Sequence, residues 1–319
     1  MKKILFINHG ISHRCGVHAQ GRRHFQRLAE SKKYLFAYSE IDSYEKFRQI
    51  CNVEPPDVII YNYMPVVLPW VDQRIRQVDA KHVCVVHNIT PQNLSDGTYR
   101  SSTLFDNYIT LDFSLDVDEK IIFKTHRPLC KHDTETPGSV GGLKEPIKIG
   151  TFGFPFVHKG FHKVAQRVNS EFDKAIINLH MSDSYFCNNQ TSHILSLCND
   201  AITKEGIRIN YTNNYLDEID MIKYLSRNDI NVLFYDNVDN VGVSAAIDYL
   251  ISAQKPVLIS SSQQFRNFWN KVGVYPHKTM RNIVDDYDQE IKNIRNLYVE
   301  NGDILKQTEE IIEKVIYVE

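Results

Sequence analysis

Between residues 228 and 262 the chain carries two short apolar runs, at 230–235 and 257–259, separated by a polar loop and a stretch of helical spacing. No other feature constrains the fold as much. Both runs are rich in strand-forming residues and too short for buried helices. The loop over 236–240 leads to Gly242. After it Val243, Ala246, Ile247, Leu250 and Ile251 recur at helical spacing, with Ser244 and Asp248 interleaved, until Pro256 ends the helix. Strand, loop, helix and strand make a βαβ unit, the building block of a parallel sheet. A ligand of such a unit sits beyond the carboxyl end of the strand, where the helix start presents unpaired N–H groups. Gly242 lets the backbone approach an anion, the amides of Gly242, Val243 and Ser244 can donate to a diphosphate, and the Ser244 hydroxyl adds a further group. The plain alternative is a tight turn at Gly242 and a helix cap at Ser244.

The same alternation runs through the rest of the chain. Strands are expected at 3–7, 35–38, 57–61, 82–86, 108–111 and 121–123, with helices at 18–31, 44–51 and 70–78. The helix at 18–31 should turn Phe25 and Leu28 inward and Arg22, Arg23 and Arg27 outward. Residues 132–146 carry Gly, Pro, Ser and charge with little to bury, which marks a linker. Beyond it the pattern restarts, with strands at 147–153, 175–180 and 207–211, helices at 194–202 and 216–225, and a final helix striped by Ile304, Leu305, Thr308, Ile311, Ile312 and Val315. The expected fold class is α/β, with two doubly wound Rossmann-like domains, 1–140 and 146–319, facing a cleft. The last helix has the option of packing back on the first domain.

Composition narrows the function classes. A formal charge of -2 and a pI near 6.7 give no global attraction to nucleic acid. No apolar run approaches the ~20 residues of a membrane span and no secretory h-region follows Met1, so a cytoplasmic protein is expected. The six cysteines are scattered without Cys-x-x-Cys spacing and read as reduced packing groups. His9, His13, Cys15, His18 and His24 cluster at one loop–helix junction, yet their spacing matches no zinc pattern.

At this point the residues resemble a family. Two α/β domains in this order look like the GT-B glycosyltransferases that use nucleotide sugars. Gly150-Thr151-Phe152-Gly153 followed by Lys159-Gly160 is similar to that family's second-domain opening. Gly242-Val243-Ser244 through Lys255-Pro256-Val257 is similar to its donor-phosphate helix and closing strand. Cys15-Gly16-Val17 stands where the family's N-terminal glycine loop lies against the donor, and His87-Asn88 at a strand end near the reacting sugar or the acceptor.

The resemblance implies transfer of a sugar from a nucleoside diphosphate to an acceptor hydroxyl on a glycan, a protein or a modified nucleobase. The nucleotide sugar is then a co-substrate, and no metal is required. Its donor-binding residues would be Gly16, Val17, Gly153, Lys159, Asn214, Tyr215, Gly242, Val243 and Ser244. The Lys159 ammonium and the amides would stabilise charge on the departing diphosphate; taken alone, Lys159 is equally a solvated surface lysine. Asn214 and Tyr215 are placed to read the base, or form a simple capped turn. His87 is the catalytic candidate, as a base or as a hydrogen-bonding anchor, against the alternative of a structural histidine. Where retaining members carry paired glutamates this chain has Val241 and Tyr249, and Asp248 points about 100° away on a helix. A noncatalytic binding or scaffold subunit and a sugar-nucleotide epimerase are the alternative readings.

Overall fold

The computed structural model describes residues 1–10, 15–118, 120–130, 143, 145–182, 190–239 and 241–317. His13 and nearly all of the linker at 132–146 lie outside them. Two compact units emerge. The first comprises Met1–Pro128, Asn240–Val243 and Asn301–Glu319, and the second Leu129–Asp239 and Ser244–Glu300.

In the first unit, β1 (Lys3–Asn8), β2 (Leu35–Glu40), β3 (Val58–Tyr63), β4 (Lys81–Val86), β5 (Asn107–Thr110) and β6 (Ile122–Lys124) form a parallel sheet ordered β2-β1-β3-β4-β5-β6. The strand order reverses between β1 and β3, the place where sheets of this kind hold ligands. Helices α1 (Gly16–Leu28) and α2 (Tyr44–Val53) connect the early strands, and the short α3 (Pro91–Ser95) and α4 (Thr98–Ser101) follow β4.

The second unit contains β7 (Ile147–Gly153), β8 (Ala175–Met181), β9 (Ile207–Thr212), β10 (Ile230–Leu233), β11 (Val257–Ser260) and β12 (Gly273–Tyr275), again all parallel and ordered β12-β11-β10-β7-β8-β9. Its order reverses between β7 and β10. Helices α5 (Phe161–Glu171), α6 (Thr191–Asp200), α7 (Glu218–Ser226), α8 (Ala246–Ser252), α9 (Met280–Asp285) and α10 (Tyr287–Glu300) surround it. Both sheets carry apolar clusters on their two faces, so their central strands are buried throughout. These are two Rossmann-like domains.

The chain's last helix, α11 (Ile304–Tyr317), belongs to the first unit. Ile311, Ile312 and Val315 join Ile4, Phe6, Leu28 and Val58 in one apolar cluster. Around this seam Ser31 Oγ donates to Glu309 at 2.5 Å and Lys33 pairs with Glu313. Because α1 packs against α11 as well as the sheet, it buries more than one stripe. Arg23 is 3% exposed and faces inward, contrary to the outward basic face expected from spacing, while Arg22 stays exposed.

Three further expectations need correction. The segment at 70–78 is a loop with a 3₁₀ turn at Gln73–Gln77 instead of an α-helix. Asp72 caps that turn through Arg74 N, and Trp70 anchors the loop by donating from Nε1 to Ile41 O at 3.3 Å. Gly16 and Val17 open helix α1 and are not part of a preceding turn. The helix expected from Val243 starts only at Ala246, and Ser244 N donates to Gln264 O at 2.9 Å.

An asparagine ladder crosses the second sheet. Asn210 donates to Asn178, Asn178 to Asn228, and Asn228 to Asn231, whose Nδ2 ends on Leu225 O. Gly150 lies beneath it, and a Cβ there would collide with the Asn228 and Asn231 amides. Cys15, Cys51, Cys84, Cys130 and Cys198 are free thiols. Among the described residues no helix is long and apolar enough to cross a membrane.

Candidate functional site

The reversal point of the second sheet is built from the turns that follow β7 and β10. Gly153 ends β7 with φ +152°, a conformation that L side chains rarely adopt. A 3₁₀ turn at Val157–Lys159 leads to Gly160, which sits in the left-handed region at φ +65° as the N-cap of α5. A Cβ on Gly160 would drive into Phe234 O, so glycine is what lets α5 start against the end of β10. The two turns are tied together, Asp236 N donating to His158 O at 2.8 Å and Lys163 pairing with the Asp236 carboxylate.

Tyr235 organises this corner. The half-buried Lys159 places its ammonium 3.8 Å from the centroid of the Tyr235 ring. The Tyr235 hydroxyl hydrogen-bonds Ser244, and burial pushes its pKa far above the usual phenol value. A Cβ on Gly153 would come to 3.7 Å of the same hydroxyl. Lys159, Gly153 and Ser244 are thus brought around one aromatic ring, which reading by motif passed over because an aromatic at a strand end looks like core. Asn214 and Tyr215 lie in the exposed loop after β9, and the Tyr215 side chain is 55% exposed.

The amides at 242–244 are arranged differently from the expectation. Gly242 N donates to the Asn88 side-chain oxygen, and Ser244 N to Gln264 O. Two of the three donors assigned to a diphosphate are therefore satisfied by the chain itself. A Cβ on Gly242 would lie 3.0 Å from Asn88 Cα and deep within contact distance of His87 O, so Gly242 is needed where the chain passes the end of β4. Val243 is half-buried beside it.

The first unit concentrates polar groups at its own reversal point. Asn8 ends β1, Asn62 lies near the end of β3 and His87 follows β4. Asn62 Nδ2 donates to Asn8 Oδ1 at 2.9 Å and to Val17 O at 2.8 Å, and Asn62 Oδ1 meets His87 Nε2 at 2.6 Å. Asn8 Nδ2 in turn donates to His18 O and to the Tyr38 hydroxyl, both at 3.0 Å. Gly21 on α1 leaves room for this network, since a Cβ there would sit 2.8 Å from Asn8 Nδ2. Around Gly16, by contrast, a Cβ would meet nothing within 4 Å.

Burial favours the neutral form of three of these histidines, His87, His24 and His9. Burial, helped by the Arg127 charge, lowers the His87 pKa to about 3, and burial alone lowers that of His24 to about 4. Burial and the neighbouring His18 bring His9 to about 4. His18 spends its Nε2 on Glu40 at 2.7 Å, and His24 reaches the Thr308 hydroxyl at 3.4 Å. Among the described residues no group of three or more His, Cys, Asp or Glu side chains is placed to share a metal ion. Asp248, beside the position of a missing glutamate, is fully buried on α8, where its carbonyl accepts from Ser252 at 2.7 Å.

No protein-family model matches the chain, and neither does any curated protein sequence. Comparison with solved structures is informative. A glycosyltransferase from Rickettsia africae ESF-5 superposes with a TM-score of 0.68 at 12% identity, covering 100% of this chain and 99% of that one. Sucrose-phosphate synthase from Thermosynechococcus elongatus gives 0.68 at 12% identity over 100% of both chains. The chain has the GT-B fold. Anabaena HepE in complex with UDP and glucose shares it, with a TM-score of 0.63 at 10% identity over 99% of both chains. Identities this low carry the GT-B architecture and leave the individual residues to their own chemistry.

Proposed function

We propose that this GT-B protein is a glycosyltransferase that moves a sugar from a nucleoside diphosphate to an acceptor hydroxyl. The observation that carries the reading is the match of both Rossmann-like domains, over the whole chain, to glycosyltransferases of known structure. The donor class is proposed from HepE, which binds UDP and glucose. In this reading the donor lies at the carboxyl ends of the second sheet's strands. Lys159, held over Tyr235, supplies the fixed positive charge for the diphosphate, Gly153 and Ser244 flank it, and Asn214 and Tyr215 contact the base. The Gly242 amide is free to donate only once Asn88 releases it, and Ser244 N stays with Gln264 O.

His87 serves best as a hydrogen-bonding anchor for a sugar or acceptor hydroxyl. A pKa near 3 makes it a poor proton acceptor at neutral pH. No bound metal is part of the proposal, because the lysine and backbone amides supply the electrophilic side of the reaction.

A noncatalytic binding subunit is the second reading. It is favoured by the engagement of Gly242 N and Ser244 N within the chain, and by Val241 and Tyr249 in place of the paired glutamates. A thermal-shift panel with UDP, GDP, ADP, CMP and TDP, followed by an assay for nucleoside diphosphate release from the matching sugar nucleotides, separates the readings. A raised melting temperature with release supports the transferase. Stabilisation without release supports the binding subunit, and no response to any nucleotide overturns both.

A further inference from the structure

The polar network at the first sheet's reversal point has a direction that can be read without seeing a hydrogen. Val17 O and His18 O are backbone carbonyls and can only accept. Asn62 Nδ2 lies 2.8 Å from Val17 O, and Asn8 Nδ2 lies 3.0 Å from His18 O. Both amides are therefore fixed in orientation, since flipping either would set oxygen against oxygen. With its second Nδ2 hydrogen given to Asn8 Oδ1, Asn62 has only its oxygen left for His87. That oxygen accepts at 2.6 Å, so the imidazole must carry its hydrogen on Nε2.

We propose that Asn62 is a positioning residue for His87, locking the neutral ring as its Nε2–H tautomer and leaving Nδ1 as the acceptor for a substrate hydroxyl. The inference rests on the proposed glycosyl-transfer reading for its function, though not for its geometry. Asn62 is 1% exposed and Asn8 fully buried, so water has little access to the two amides. The charged and titratable groups acting on His87 are Arg127, His24 and His9, none of them acidic, and they reinforce the neutral form. A neutral ring with a fixed tautomer presents one donor and one acceptor in set places, whereas a protonated ring has no acceptor left for a hydroxyl.

Nitrogen-15 NMR of the histidines in the full-length chain tests this, with circular dichroism to confirm folding. Wild type should show His87 as the Nε2–H tautomer, neutral at about pH 5. Asn62→Leu should lose that preference and reveal Nδ1–H, and Asn62→Asp should leave His87 protonated on both nitrogens at about pH 5, because a carboxylate replaces the amide oxygen. In the donor-hydrolysis assay Asn62→Leu should lose at least about tenfold in kcat with little change in donor KM. An Nδ1–H wild type, or a tautomer indifferent to Asn62→Leu, overturns the proposal. If Asn62→Leu fails to fold, the wild-type tautomer and the Asn62→Asp titration decide it. A wild type that releases no nucleoside diphosphate would remove the catalytic reading while the tautomer measurement still reports on Asn62.

Discussion

The Lys159 ammonium stands 3.8 Å from the centroid of the Tyr235 ring, joining the turn after β7 to the end of β10. The face of an aromatic ring attracts a cation without neutralising its charge. That contact holds the Lys159 side chain in place. Lys159→Ala should cost stability only about 0.5–1 kcal/mol, the worth of a partly exposed cation–π contact. Nucleoside diphosphate affinity should fall about tenfold or more, read by calorimetry. Equal affinity in wild type and variant would remove the lysine from the phosphate site. Tyr235→Leu, which removes this ring contact, should give an intermediate loss.

Gly160 tests the backbone of the same corner. Its φ of +65° and the crowding by Phe234 O penalise any side chain. Gly160→Ala should destabilise by about 1–3 kcal/mol in urea unfolding, from left-handed strain together with displacement of the α5 start. A neutral result would mean that α5 can begin elsewhere.

Acid should weaken the first unit through its histidines. The folded-state pKa values of His87, His24 and His9 are lowered to about 3, 4 and 4, against 6.5 for an ordinary imidazole. The unfolded chain therefore binds more protons below pH 6.5. Stability should be full above that pH and fall as the pH drops toward 4, by up to about 1.4 kcal/mol per pH unit for each histidine. His24→Gln should flatten the slope of urea stability against pH. An unchanged slope would show that His24 titrates normally.

The last helix should be a structural part of the first unit. Ile312 is 1% exposed in the cluster with Phe6 and Leu28. Ile312→Ala should cost about 2–5 kcal/mol, as for other buried aliphatic truncations. Glu313→Gln, removing one surface ion pair with Lys33, should cost less than about 1 kcal/mol. The contrast separates core burial from surface charge and is measurable by chemical denaturation.

Much of the architecture was legible because parallel strands announce themselves. Ile4–Ile7, Val58–Tyr61 and Val257–Ile259 are buried on both faces and so read as continuous apolar runs in the sequence. The final helix showed its stripe at Ile304, Ile311, Ile312 and Val315 for the equivalent reason at helical period. Late elements were missed. Strand β12 has three residues, and α10 hides its inner stripe among charges, with Glu290 buried against Lys278.

Sequence by itself determined the alternation of strand and helix, and with it the parallel sheets, because burial period and turn chemistry are local properties. It also placed Gly153 and His87 at strand ends and Lys159 at a strand–helix junction. Only the tertiary structure decided what those residues face. His24 met Thr308 because α1 is covered by α11, 276 residues or more along the chain. The Gly242 amide met Asn88 because the chain returns past the end of β4. Asn62 became the partner of His87 because β3 and β4 pair side by side. Such pairings join residues distant in sequence and leave no periodic trace, so no local pattern could have carried them.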